Sequence, residues 1–336
     1  MHFQKFSAMF GAIFLILNLM GNNSPGQMLA LKLAENPDNN LMKNVSVQEN
    51  TVPAVEIIKL DYIKASEPEP TEETPEPSFT TENNFSNIKE TYIHGGMSIR
   101  NNTDYNVDVT EFLSIGPHVR LASDSPQILI MHTHGSEAYT PAGLDRYEES
   151  DERRTEDIEY NMIRIGSELK TLLEEQGLNV IHDTRIHDYP SYTGSYSRAE
   201  QAIQELLAQN PSISIVLDLH RDALDSNGII YKTMADESGV CASQIMFLCG
   251  SDASGLEHKN WQKNLGLALY LQQAINTKHP SLMRPVTLVK ERYNTHLTKG
   301  SLIVEVGSSG NTLQEALAAI RLFADAVGPA LISLIE

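Results

Sequence analysis

The stretch Gln127-Ile-Leu-Ile-Met-His-Thr-His134 decides how this chain is read: a short apolar run closes abruptly on polar residues, and Gly135-Ser-Glu137 follows. An uninterrupted apolar run of this length is the pattern of a strand buried on both faces, as in a parallel sheet. Leu178–His182, Ser212–His220, Ser243–Leu248, Val286–Val289 and Ser301–Val306 read as further strands. Helical spacing covers Ile158–Gln176, which stops at Gly177, and Tyr196–Gln209, which stops at Asn210-Pro211. His258–Asn276 and Thr312–Val327 are the other two helices. Strands alternating with helices predict an α/β fold: an open, largely parallel central sheet flanked by helices on both faces.

Three of these strands end in unusual polar residues. The first gives His132-Thr-His134-Gly-Ser-Glu137, the second Asp218-Leu-His220-Arg221-Asp222, the third Glu305-Val-Gly307. Parallel strands present their carboxyl ends on one side, so the three segments can converge in one crevice. Imidazole and carboxylate groups at buried strand ends need partners, and a metal ion satisfies them together. Each piece also has a plainer structural reading. A single histidine is a satisfied core residue, Asp218–Asp222 is an ion-pair cluster, and Glu305 pairs with Arg292 or Lys299. If the strand continues, His132 and His134 point to opposite faces, so at most one faces an ion.

The ligand types dictate the chemistry. Zinc accepts neutral imidazole nitrogen and carboxylate oxygen, and a catalytic site keeps one position for water. The ion acidifies that water and polarises a carbonyl, while a separate carboxylate carries the proton to the leaving amine. Two histidines, one acidic ligand and a glutamate base amount to amide hydrolysis without a covalent intermediate. Rival signatures are missing from the sequence. It has no HExxH, no G-x-S-x-G elbow before a helix, and neither a dinucleotide nor a Walker loop.

The charge balance, 44 acidic against 25 basic residues for a net −19, repels phosphate backbones and predicts no nucleic-acid partner. Cys241 and Cys249 lack zinc-finger spacing and read as two small apolar side chains. Residues 1–21 place Lys5 ahead of an apolar stretch, Phe6–Met20, in the layout of an export signal or minimal membrane anchor. Residues 22–90 form a spacer whose core, Glu67–Pro77, has repeated prolines and no apolar residue, so it cannot bury a core. Residues 91–125 read as a pre-domain segment with loose alternation over Tyr105–Ile115, and the domain itself as 126–336. This organisation predicts a cell-membrane protein with its catalytic domain outside the cytoplasm.

Over residues 120–325 the chain resembles the stage II sporulation protein P family of endospore-forming bacteria. The resemblance rests on Met131-His-Thr-His-Gly-Ser-Glu-Ala-Tyr139, Arg154-Thr-Glu-Asp-Ile-Glu-Tyr-Asn161, His187-Asp-Tyr-Pro-Ser-Tyr-Thr-Gly-Ser-Tyr-Ser-Arg198, Asp218–Asp222, Arg292-Tyr-Asn294 and Leu302–Gly307 with Asn311–Ala316. That family looks like a branch of the zinc N-acetylmuramoyl-L-alanine amidases. The resemblance implies His134 and His220 as zinc ligands and Glu305 as the catalytic glutamate. Asp157 fits best as the acidic ligand, with Glu137 and Glu159 as alternatives. It implies a substrate, peptidoglycan, cleaved between muramic acid and L-alanine, with cross-link cleavage in some members. The setting it implies is engulfment of the forespore beside stage II sporulation proteins D and M. Arg198, Arg221, Tyr192 and Trp261 are candidates for holding an anionic, sugar-bearing substrate. The alternative is a non-catalytic wall-binding scaffold that has kept the fold.

Overall fold

The computed structural model describes residues 89–93 and 97–336. The expected anchor at 1–21 and nearly all of the spacer at 22–90 lie outside the described residues. Among the described residues, no helix is long and apolar enough to cross a membrane.

An antiparallel hairpin opens the domain, β1 (Lys89–Ile93) with β2 (Met97–Asn101). Helix α1 (Val109–Ile115) follows, then β3 (Ile128–Met131), α2 (Met162–Glu175), β4 (Val180–His182), α3 (Ser195–Gln209) and β5 (Ile215–Asp222). Two small ribbons come next, β6 (Asp225–Ser226) with β7 (Ile229–Ile230), and β8 (Ala235–Glu237) with β9 (Val240–Ala242). The chain closes with β10 (Ile245–Cys249), α4 (Trp261–Lys278), β11 (Val286–Leu288), β12 (Gly300–Ser308) and α5 (Leu313–Ile332).

Eight strands form one sheet in the order β1-β2-β11-β10-β12-β5-β3-β4. Strands β12, β5, β3 and β4 run parallel, as do β10, β11 and β2, and the two blocks meet antiparallel at β10–β12. The fold is therefore α/β with a mostly parallel central sheet, as the alternating pattern predicts. Strand alternation sorts the side chains. Ile128, Ile130, Ile215, Leu217, Leu219, Leu302, Val304 and Val306 join the large core with residues of α2, α4 and α5. Leu129, Met131 and Val216 pack on the opposite face against Ala199 and Ile203 of α3. Each such side chain, fully buried, contributes about 1.5–3 kcal/mol.

Local signals place the helix ends. The Asn161 side chain accepts from the Ile163 amide at the start of α2, and the chain leaves α2 through Gly177 at φ +94°. Thr312 and Glu315 close a reciprocal capping box on α5. The segment expected to precede the domain differs from its reading. Met97–Asn101 is a strand of the main sheet, paired with β11, and Val109–Ile115 is a helix because the Asp108 carboxylate caps its first amides. The partner strand lies far along the chain, out of reach of any local pattern. Cys249 is buried in β10 and Cys241 is exposed, both as free thiols.

Candidate active site

Because β12, β5 and β3 are adjacent and parallel, the three polar strand ends reach the same edge of the sheet. Glu305 is the register partner of His220, and Met131 that of Asp218. With Leu217, Leu219, Val304 and Val306 turned to the large core, alternation puts Asp218, His220 and Glu305 together on the α3 face.

His134 follows β3 through a turn and is buried. Its ring stacks on Tyr192 at 4.6 Å and lies edge-on to Tyr196 at 5.4 Å and to His220 at 5.3 Å, centroid to centroid. His134 Nδ1 lies 3.9 Å from Asp188 Oδ2. His220 sits between two carboxylates, with Nε2 3.0 Å from Asp218 Oδ1 and Nδ1 3.7 Å from Glu137 Oε2. A second layer of bonds holds these groups. Asp218 accepts from the Thr133 amide (2.8 Å) and hydroxyl (2.6 Å). Asp188 accepts from the Ser136 hydroxyl (2.6 Å) and Arg154 Nη1 (2.6 Å). Glu137 accepts from Arg154 Nη2 (3.3 Å) and the Arg221 amide (3.1 Å).

Charge in this cluster is set by burial and by the carboxylates. Burial and the neighbouring His220 push His134 down to about 4, so its imidazole is neutral at pH 7. Burial works against charge on His220 too, but Asp218, Glu137 and Glu305 overcome it and raise its pKa to about 10. Burial, with help from Asp222 and Glu137, pushes Glu305 up to about 8 against the pull of His220. The carboxylates around His220 thus favour positive charge between them. Buried and without hydrogen-bond partners are His134 Nδ1 and Glu305 Oε2. Two imidazoles and a fixed carboxylate suit a divalent cation in kind. Among the described residues, no group of three or more His, Cys, Asp or Glu is already drawn into a metal cage.

The structure gathers His134, His220, Glu137 and Glu305, with Tyr192 against them. It does not bring Asp157 or Glu159 to the cluster. Both are exposed in the turn before α2, where Asp157 Oδ1 accepts from the Glu159 amide at 3.1 Å. Of the three acidic candidates, Glu137 is the one beside an imidazole, 3.7 Å from His220 Nδ1. The guanidinium groups of Arg198 and Arg221 bond backbone carbonyls. Arg198 donates to His187, Thr193 and Ser191, and Arg221 to Ala138 (2.6 Å) and Arg153 (3.0 Å). Trp261 stacks on Tyr105 at 4.8 Å. His132 turns to the other face, where its Nε2 meets His182 Nε2 at 2.8 Å. Glu305 has no partner in Arg292, whose nearest carboxylate is Glu200 at 3.9 Å. Sequence reasoning missed Asp188 and Arg154 as the struts of His134 and Glu137. It also missed Tyr196 and Tyr293, which line up beside them. All four lie in the segments that carry the family resemblance, but no spacing rule singles them out.

The fold and this cluster define an α/β domain with a buried histidine–carboxylate centre at the ends of its parallel strands. A profile of the stage II sporulation protein P family matches residues 18–328, and the chain belongs to that family. It is 26% identical over 220 residues to the stage II sporulation protein P of Bacillus subtilis (strain 168), covering 62% of this chain and 52% of that relative. The chain spans about half the length of the curated relative it matches. Among solved structures it is similar to an N-acetylmuramoyl-L-alanine amidase from Clostridium difficile 630, with TM-score 0.38 and 17% identity over 63% of this chain and 97% of that one. It is also similar to the CwlD amidase of Clostridioides difficile, solved in complex with the GerS lipoprotein, with TM-score 0.35 and 15% identity over 62% of this chain and 98% of that one.

Proposed function

We propose that this protein is a zinc-dependent peptidoglycan hydrolase that cleaves the amide between muramic acid and L-alanine during sporulation engulfment. One observation carries the reading: His134, His220, Glu137 and Glu305, from three separate strand ends, meet in a single buried cluster. His134, His220 and Glu137 would hold the ion, which when bound polarises a carbonyl and acidifies a water molecule. Asp188 and Asp218 orient the two imidazoles, and Arg154 fixes both Asp188 and Glu137. Glu305 takes the proton of the attacking water and delivers it to the departing amide nitrogen. Its buried oxygen without a hydrogen-bond partner is open to accept that proton.

A scaffold that only bound the wall would have no use for an unpaired buried carboxylate beside two imidazoles, which favours the enzyme. The family supplies the sporulation setting. Association with stage II sporulation proteins D and M, and a membrane tether within residues 1–21, complete the proposal. The purified chain is expected to release muropeptide stems from sporangial wall material and to stop when a chelator is added. Mass spectrometry should find free lactyl ends on the sugar. New peptide termini with intact lactyl amides would redirect the assignment to cross-link cleavage, and an active, zinc-free His134→Ala protein would defeat the mechanism.

A further inference from the structure

Tyr293 stands in the loop between β11 and β12 with φ +49°, a left-handed conformation that a bulky side chain seldom adopts. The surrounding bonds enforce it. Asn294 Nδ2 donates to the Tyr196 carbonyl at 2.9 Å, and Thr295 Oγ1 donates to the Arg292 carbonyl at 2.8 Å. On the other side the loop backbone lies so close to Gly250 that a Cβ there would meet the Arg292 carbonyl at 2.5 Å and the Glu291 carbonyl at 2.7 Å. Backbone strain held in place this way is typical of functional positions. Its effect here is to set the Tyr293 ring 5.4 Å from Tyr196, which is itself edge-on to His134. The Tyr293 hydroxyl has no protein hydrogen-bond partner among the described residues. Burial, then Glu291, Glu305 and Tyr192, raise its pKa, so it keeps its proton.

Amide hydrolysis develops negative charge on the former carbonyl oxygen, and donors already aimed at that oxygen lower the barrier. The two arginines that sequence reasoning offered for an anionic group are bound to backbone carbonyls. We propose that Tyr293 is a catalytic residue whose hydroxyl donates a hydrogen bond to the substrate oxygen as it becomes anionic, with Tyr196 holding the ring in place. The inference rests on the hydrolase reading above. Water adds to the carbonyl carbon, its proton goes to Glu305 and on to the leaving nitrogen, and the C–N bond breaks. Tyr293 keeps its own proton throughout.

The test compares wild type with Tyr293→Phe on a defined muramoyl peptide. The expected result is a kcat lower by about 100-fold, with KM, zinc content and thermal midpoint unchanged. Affinity for a phosphinate mimic of the tetrahedral adduct should fall by a similar factor. Affinity for the intact peptide, measured in the Glu305→Gln background, should not. Tyr293→Asn, which tolerates the backbone angle, should lose kcat to the same extent and guards against a folding effect of Phe. A Phe variant with wild-type kcat, or one that weakens mimic and intact peptide equally, overturns the inference while leaving the hydrolase reading in place. Wild-type protein inactive on the peptide with zinc bound removes both.

Discussion

Glu305 and His220 are register partners on two adjacent parallel strands, with both side chains on the α3 face of the sheet. Strand geometry therefore sets their spacing, and no loop has to close to bring them together. Glu305→Gln keeps the shape and removes the proton acceptor. Its hydrolysis rate should fall by about 10²–10⁴-fold while zinc still binds with near wild-type affinity. Loss of zinc along with activity would make Glu305 a ligand and not the base.

Glu137 and Asp157 give opposite expectations. Glu137 is buried beside His220 and tied to Arg154 and the Arg221 amide, whereas Asp157 is exposed. Calorimetric titration with zinc should show a loss of roughly 10–100-fold or more for Glu137→Gln, on the scale of disturbed metal-site partners. Asp157→Asn should bind as wild type does. The reverse pattern would restore Asp157 as the acidic ligand.

Arg198 and Arg221 act as clamps on backbone carbonyls. Arg198→Gln frees the carbonyls of residues 187, 191 and 193, the loop that carries Tyr192 onto His134. Arg221→Met leaves the buried carbonyl of Ala138 unpaired. Arg221→Met should lower stability in denaturant by about 1–3 kcal/mol, and Arg198→Gln, whose carbonyls water can reach, by less. Substrate KM should stay near wild type for Arg221→Met. A change in KM without any loss of stability would point to substrate contact instead.

The His132–His182 pair makes stability depend on pH. His132 Nδ1 faces the Leu219 carbonyl at 3.3 Å, so it donates there and its Nε2 accepts from His182. Burial, reinforced by His182, pushes His132 down to about 3, and burial pushes His182 to about 4. In the unfolded chain both protonate near about 6.5. Between that pH and about 4 the unfolded state binds protons that the native state refuses, so stability falls as pH falls. Replacing His182 by Gln should flatten the stability–pH slope over this window by at most about 1.4 kcal/mol per pH unit. An unchanged slope would show that the pair does not carry the effect.

The strands that hold the site were legible because a buried strand writes an apolar run, and the polar residues closing Met131, Leu217 and Val304 stand out against it. The helices α2 to α5 were legible from spacing and from Gly177, Pro211 and Thr312 at their ends. What stayed hidden depends on distant pairing. Met97–Asn101 becomes a strand through β11, and the antiparallel junction of β10 with β12 has no local signature. The acidic candidate that motif position favours and the carboxylate beside His220 differ for a related reason. Motif position favoured Asp157, but three-dimensional proximity belongs to Glu137, which the turn after His134 folds back toward His220. The arginines looked free because a sequence does not show which carbonyls lack donors.

The central claim is that His134, His220 and Glu137 share one divalent ion next to Glu305. Diffraction from crystals of the zinc-loaded protein, recorded on both sides of the zinc edge, tests it most directly. The account predicts one anomalous peak within bonding distance of all three side chains, with Glu305 close by but outside the coordination sphere. A peak elsewhere, or none between the two imidazoles, would contradict it.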